Sequence, residues 1–236
     1  MSRTRIYIEP QLIQPQIRLA QRDTVHKLRD VLRLEKENQL YVFDGQGNEY
    51  LYRIDDFDRR QLLISQEKAS RRQTKPGHEL ILAFTPLNEE KTAYLLQKAV
   101  ELGADAFVPF SCERSLKNKV TADRSSRWRR IIIEACRQSE RLWLPRMLPP
   151  AAFRDILGFD AGLRIVATID GRPAQEILPQ KPLDTIIAVG PTGDFSRSEY
   201  EQLRQCGFSF LKLSENMLRV ETAAAFAVGV LNYLRL

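Results

Sequence analysis

From Arg5 to about Ala69 the chain alternates apolar and polar residues in short runs rich in β-branched and aromatic side chains. The runs are RIYIE at 5–9, QLYVFDG at 39–45, EYLYRIDDF at 49–57 and QLLISQEKA at 61–69. A period near two suits a half-buried strand, so these runs predict strands. Asp44-Gly45-Gln46-Gly47 lies between two of them and supplies the positive-φ residues of a hairpin turn. A helix is expected at Thr24–Leu34, where Val25, Leu28, Val31 and Leu32 recur at helical spacing. The result is a small antiparallel barrel over residues 1–72. The stretch SRRQTKPGH (70–78) is polar, contains Pro76-Gly77 and has little to bury, so a linker is expected at 73–78.

Beyond it, over 79–236, the rhythm changes to near-continuous apolar strands separated by helices. The strands are LILAFT (80–85), AFVPF (106–110), RIVATI (164–169), TIIAVG (185–190) and FSFLKL (208–213). Helices are expected at Glu89–Leu102, capped by Asn88 and ended by Gly103, at Arg127–Trp143, near Glu199–Cys206 and at Arg219–Leu234. Such a pattern predicts a parallel sheet covered on both faces. Ligands of such sheets bind beyond the carboxyl ends of the strands. That rule selects the loops after Ile169 (170–172), after Val189 (190–194) and after Leu213 (214–218). Ser196 and Glu199 form an S-x-x-E capping box where the second of these opens into a helix.

The 236 residues have ordinary globular composition, 43% hydrophobic and 28% charged, which argues against disorder. No apolar run is long enough to span a bilayer and the start carries no signal-peptide core, so a cytoplasmic protein is expected. The three cysteines, Cys112, Cys136 and Cys206, form no C-x-x-C pair, and they read as small buried side chains rather than a disulfide framework or a metal site. The net charge of +6 is uneven. Residues 111–150 hold 10 basic against 4 acidic residues and residues 1–33 hold 7 against 3, whereas residues 151–236 hold 9 against 10. Two basic patches therefore flank an electrically neutral last third.

The chain lacks G-x-x-x-x-G-K-[ST], a complete G-x-G-x-x-G after a strand, H-E-x-x-H and G-x-S-x-G, so readings as a nucleoside triphosphatase, dinucleotide oxidoreductase, zincin or serine hydrolase lose their usual support. Its two histidines, His26 and His78, lie outside the three loops, which argues against histidine acid–base chemistry. Several segments together are more specific: GPTGDFSRSE at 190–199, MLRVETA at 217–223, QKAVELGAD at 97–105 and RWRRIIIEACRQSERLWLP at 127–145. With Arg5-Ile6-Tyr7, Val31-Leu32-Arg33 and Asp44-Gly45, they make the chain resemble the RsmE family, the uridine-N3 methyltransferases of small-subunit (16S) ribosomal RNA.

The resemblance implies a two-domain α+β protein with an N-terminal PUA-like RNA-binding barrel and a C-terminal α/β SPOUT domain closed by a trefoil knot. It also implies S-adenosylmethionine as cofactor, a homodimer, and ribosomal RNA or the assembled small subunit as partner. By the same resemblance, Thr168 or Ile169, Gly190, Pro191, Gly193, Leu213, Ser214 and Leu218 line the cofactor pocket; taken alone, Leu213 and Leu218 are ordinary core positions. The family usually reads GPEGG where this chain has Gly190-Pro191-Thr192-Gly193-Asp194, and LGxRxLR where it has Leu213-Ser214-Glu215-Asn216-Met217-Leu218-Arg219. Asp194 tolerates positive φ better than most residues.

Methylation at uridine N3 needs loss of the imide proton and stabilisation of the charge that spreads to the carbonyl oxygens. Arg219 is the candidate for that stabilisation, with Glu221 orienting it or binding the uridine edge. Uridine N3 is hidden in a base pair, so the RNA around it must be gripped. Arg127, Arg130, Arg137 and Arg141 along one side of the expected 127–143 helix are candidates, as are Arg5 and Arg33 on the barrel; each also reads as part of a solvated face. A non-catalytic ribosome-associated RNA-binding protein, or a SPOUT enzyme with another RNA target, remain the alternatives.

Overall fold

The computed structural model describes residues 3–57, 61–115 and 120–234. The chain divides into two compact units, residues 1–75 with 140–144, and residues 76–139 with 145–236.

The first unit contains β1 (Arg5–Tyr7), β2 (Gln16–Leu19), α1 (Arg22–His26) continued by a π-helical turn at Lys27–Val31, β3 (Gln39–Phe43), β4 (Asn48–Phe57) and β5 (Leu62–Arg72). They form a five-stranded sheet in the order β1-β3-β4-β5-β2. β1 pairs with β3 in parallel, so the sheet is mixed rather than wholly antiparallel. Tyr52, Ile54, Leu62 and Ile64 of the long β4–β5 pair meet Leu40, Val42, Ile17, Val25 and Leu28 in one core. The helix expected at Thr24–Leu34 is shorter and irregular. Val25 and Leu28 are buried, but Val31 and Leu32 are exposed and Arg33 takes a left-handed φ of 52°. Apolar spacing marked a helix here, yet of its four apolar positions only Val25 and Leu28 reach the core.

The turn at 44–47 forms as its residues dictate. Asp44 Oδ1 accepts hydrogen bonds from the Gln46 and Asn48 amides at 2.7 and 3.0 Å, while Gly45 and Gly47 have φ of 71° and 95°. At Gly47 a Cβ would lie 2.6 Å from the Gln73 carbonyl oxygen and 2.7 Å from the Trp143 ring, so only glycine fits.

The second unit contains β6 (Leu80–Phe84), α2 (Glu89–Glu101), β7 (Ala106–Ser111), α3 (Ala122–Gln138), β8 (Arg146–Met147), β9 (Ala151–Ala152), α4 (Phe153–Leu157), β10 (Leu163–Arg172), α5 (Ala174–Ile177), β11 (Thr185–Val189), α6 (Arg197–Gln205), β12 (Ser209–Leu211) and α7 (Val220–Tyr233). The sheet order is β12-β10-β11-β6-β7-β8, with β9 also on β7, and every pairing is parallel. β6 and β11 are buried along their whole length, as their unbroken apolar runs require. One face packs Ile81, Ala83, Val108, Ile186 and Ala188 against Ile156 of α4 and Leu203 of α6. On the other, α7 packs on β6 and β11, and Phe84 meets Trp128 of α3 at 5.7 Å between ring centres.

The helix ends follow their capping residues. Asn88 accepts the Lys91 amide at 2.9 Å to open α2, Gly103 closes it at φ 104°, and Ser196 and Glu199 form the reciprocal box that opens α6. α3 departs from expectation: it ends at Gln138 instead of Trp143, because Glu140 turns left-handed with φ 56°. Beyond it, backbone amides that would extend a helix bond elsewhere. The Leu144 amide donates to the Gly45 carbonyl at 2.9 Å and the Leu142 amide to the Gln73 side-chain oxygen at 3.3 Å, while the Trp143 indole donates to the Gln73 carbonyl at 2.9 Å. The loop expected at 170–172 is also absent, since β10 runs to Arg172 past an irregularity in its pairing with β12. Gly171 permits that: a Cβ there would lie 2.6 Å from the backbone of Phe210, Leu211 and Lys212. Among the described residues no helix is long and apolar enough to cross a membrane.

Candidate active site

A cavity of about 770 Å³ opens at the carboxyl ends of β10 and β11. Its walls are residues 167–169 of β10, the 189–194 loop, the segment from Leu213 into the first turn of α7, and Lys91 from the first turn of α2. Two of the three loops selected by the strand-end rule thus meet at one site. From the third position only the preceding strand residues reach it, since 170–172 continue the strand.

The 190–194 loop is held from several sides. A Cβ on Gly190 would stand 3.0 Å from the Phe195 ring, so a larger residue there would have to push the ring aside. Gly193 has φ 104°, and its carbonyl accepts the Arg114 guanidinium at 2.9 Å. Asp194, at φ 65°, adopts the left-handed conformation that the sequence made plausible. Its Oδ1 accepts the Tyr200 hydroxyl at 2.6 Å and the Phe195 amide at 2.8 Å. The same Tyr200 hydroxyl lies 3.4 Å from Thr168 Oγ1, tying β10 to the loop. Burial and the hydrogen-bonded Asp194 carboxylate push the Tyr200 phenol well above its usual range, which keeps it a donor. Beside this loop, burial and the Glu199 carboxylate push the Cys112 thiol up to about 11, so it is a poor nucleophile near neutrality.

On the opposite wall Leu213 and Leu218 are half-buried and face the cavity, and Ser214 Oγ accepts the Asn216 amide at 3.0 Å to fold the loop between them. Arg219 is the N-cap residue of α7 and is exposed at the cavity rim. Glu221, 9% exposed, is expected to orient Arg219 or bind the uridine edge; its ion-pair partner in the structure is Lys91, whose Nζ lies 3.6 Å from Glu221 Oε1. Sequence reasoning missed Lys91 and Tyr200. The signal for Lys91 was a cation in the first turn of α2, set against the positive end of the helix dipole.

The cavity suits a nucleoside-bearing cofactor. Its volume lies within the range of small-molecule sites, its walls combine Ile169, Val189, Leu213 and Leu218 with glycine backbone, and its charges are balanced between Lys91 and Arg219 and between Asp194 and Glu221.

A family model described as an RNA methyltransferase domain matches residues 73–232. Ribosomal RNA small subunit methyltransferase E of Rickettsia conorii is 30% identical over 241 aligned residues, covering 99% of this chain and 97% of that protein. The chain belongs to the ribosomal RNA small subunit methyltransferase E family. The Synechocystis protein of that name is 31% identical over 219 residues, covering 89% of this chain and 71% of its own. Among solved structures, a Legionella pneumophila protein assigned as a methyltransferase, in complex with the bound cofactor SAM, has a TM-score of 0.90 at 26% identity and covers 99% of this chain and 98% of that one.

Against this family background the six arginines expected to grip RNA separate into different environments. Arg127 and Arg130 lie exposed on α3, with Arg127 Nη1 3.5 Å from Glu89 Oε2. Arg33 is exposed beside the π-helical turn. Arg137 is half-buried, its Nε donating to Glu134 at 2.9 Å. Arg141 is not on the helix at all, and its Nε donates to the Trp143 carbonyl at 3.0 Å. Arg5 is the clear correction: it is 2% exposed, lies 2.7 Å from the equally buried Glu49 and stacks 4.7 Å over the Phe43 ring. An arginine sealed this way has no surface to offer a phosphate.

Proposed function

We propose that this protein uses S-adenosylmethionine to methylate N3 of a uridine in small-subunit (16S) ribosomal RNA, working as a cytoplasmic homodimer. One observation carries the reading. The loops at 190–194 and 214–218, which the strand-end rule marks for ligands, wall a single cavity of about 770 Å³ in a chain of this family.

Gly190, Pro191 and Gly193 offer backbone to the cofactor where side chains would block approach, and Leu213 and Leu218 enclose its adenine. Thr168 closes the pocket from β10 and Ser214 shapes the loop between the two leucines. When bound, the cofactor supplies an electrophilic methyl group on a positively charged sulfur. Arg219 stands at the rim where an unpaired uridine enters, and its guanidinium stabilises charge on the uracil oxygens. Arg33, Arg127 and Arg130 hold the surrounding phosphates. Resemblance to the family supports a PUA-like barrel for the first unit and a trefoil knot formed by the segment leading into α7. Exposed Tyr94 and Leu102 at α2, with Phe226 and Tyr233 on α7, support a second copy of this chain as the cover of that face.

Calorimetry with S-adenosylmethionine, followed by mass mapping of small-subunit ribosomal RNA from cells lacking the gene, tests the reading. Micromolar binding and one lost uridine methyl group, restored by the gene but not by Arg219→Ala, are expected. No binding heat and an unchanged methylation pattern would instead identify an RNA-binding protein without catalysis.

A further inference from the structure

Lys91 and Glu221 come from separate helices, and both line the cavity. Lys91 is in the first turn of α2 and Glu221 in the first turn of α7, with Nζ and Oε1 3.6 Å apart. Their environments differ. The Glu221 side chain is 11% exposed, whereas that of Lys91 is 42% exposed. A carboxylate at the start of α7 agrees with the helix dipole, but a lysine at the start of α2 opposes it. The other charges nearby are committed elsewhere or stand apart. Glu89 pairs with Arg124 at 2.6 Å and with Arg127 at 3.5 Å, and Glu215 pairs with Lys212 at 2.7 Å. Asp194, across the cavity, accepts from Tyr200 and Phe195, while Glu90 is exposed and Arg219 is at the rim.

We propose that this pair prepares the nucleophile, with Glu221 taking the imide proton of the target uridine and Lys91 holding the charge left on the base. The proposal rests on the reading of the substrate as uridine N3. The N3–H bond breaks, its electron pair stays on nitrogen and the proton moves to a Glu221 carboxylate oxygen. That pair then bonds to the methyl carbon supplied by the cofactor, the carbon–sulfur pair remains on sulfur, and Glu221 releases its proton to water. Before the proton moves, the ammonium faces a carboxylate. Afterwards it faces the uracil anion beside a neutral acid. The number of charges is unchanged, so the transfer proceeds in a partly buried site without creating an isolated ion.

The test compares wild-type protein with Lys91→Met, Lys91→Arg and Glu221→Gln, each assayed for cofactor binding by calorimetry and for methyl transfer from pH 6.5 to 9.5. Cofactor affinity is expected to stay within about threefold of wild type in all three variants. Transfer near neutral pH falls on the order of 100-fold in Lys91→Met and Glu221→Gln, and Lys91→Arg retains most activity. In Glu221→Gln the proton must go to hydroxide, so the rate climbs about tenfold per pH unit. Target RNA carrying 5-fluorouridine, whose imide proton is more acidic, restores much of the loss in both impaired variants. A pair that merely pins α2 to α7 would lower melting temperature or cofactor affinity and leave the pH profile and the fluorouridine response as in wild type, which overturns the proposal. Wild-type protein that binds cofactor but transfers no methyl group to uridine N3 overturns the substrate reading, and this proposal with it.

Discussion

Replacing Arg5 with Met tests whether the first basic patch acts through this residue or whether Arg5 is part of the fold. The substitution keeps most of the aliphatic stem but leaves the Glu49 carboxylate, 2% exposed, without the guanidinium 2.7 Å away. Breaking a buried pair from one side typically costs about 3–5 kcal/mol, because an uncompensated charge stays behind. Arg71 Nε, 3.9 Å from the other Glu49 oxygen, remains as a weaker partner, so the lower end, about 3 kcal/mol, is expected. Removing both charges together, as Arg5→Met with Glu49→Leu, should return stability to within about 1 kcal/mol of wild type, since the desolvation cost disappears with the pair. Urea unfolding can isolate the effect. The chain has two tryptophans; Trp143 falls in the first unit and Trp128 in the second, so a Trp128→Phe background makes fluorescence report the first unit alone. The salt dependence of RNA binding should be unchanged in the double variant. Stability of Arg5→Met alone within about 0.5 kcal/mol of wild type, with a salt slope shallower by about 1, would refute the structural role and restore Arg5 to the RNA surface.

Further outcomes are expected elsewhere. Tyr200→Phe removes the hydroxyl 2.6 Å from Asp194 and should cost about 1 kcal/mol; combined with Asp194→Asn in a double-mutant cycle the two losses should be less than additive, and calorimetry should show weaker cofactor binding in each. Arg127→Gln with Arg130→Gln should leave cofactor affinity intact but lower the salt slope of RNA binding by about 2, read from affinities at several ionic strengths. Cys112 should react slowly with iodoacetamide at pH 8 and faster as pH climbs towards about 11. Because its thiol is raised in the fold, its contribution to stability is present below the ordinary thiol range and is lost as pH rises through about 11, which denaturation at several alkaline pH values would measure.

Local chemistry along the chain was enough for much of the architecture. Unbroken apolar runs at 80–84 and 185–189 mean strands buried on both faces, and those strands are the middle of a parallel sheet. Asn88, Ser196 with Glu199, and the glycines at 45, 47 and 103 mark helix starts and tight turns because their side chains, or lack of them, satisfy nearby backbone. The strand-end rule then found two walls of the cavity. Other features depend on partners distant in sequence, which no local pattern carries. An arginine in a basic segment reads as surface until Glu49, 44 positions away, and Phe43 are seen to enclose it. The 140–144 segment continues an amphipathic pattern, but its Leu144 and Leu142 amides bond to the Gly45 carbonyl and the Gln73 side chain, so α3 stops early. Asp170-Gly171-Arg172 looks like a loop, yet the absence of a Cβ on Gly171 lets β10 run on against the Phe210–Lys212 backbone. The pairing of Lys91 with Glu221 across 130 positions is of the same kind: the sequence supplies both charges, and only the packing of α2 against α7 brings them to one cavity.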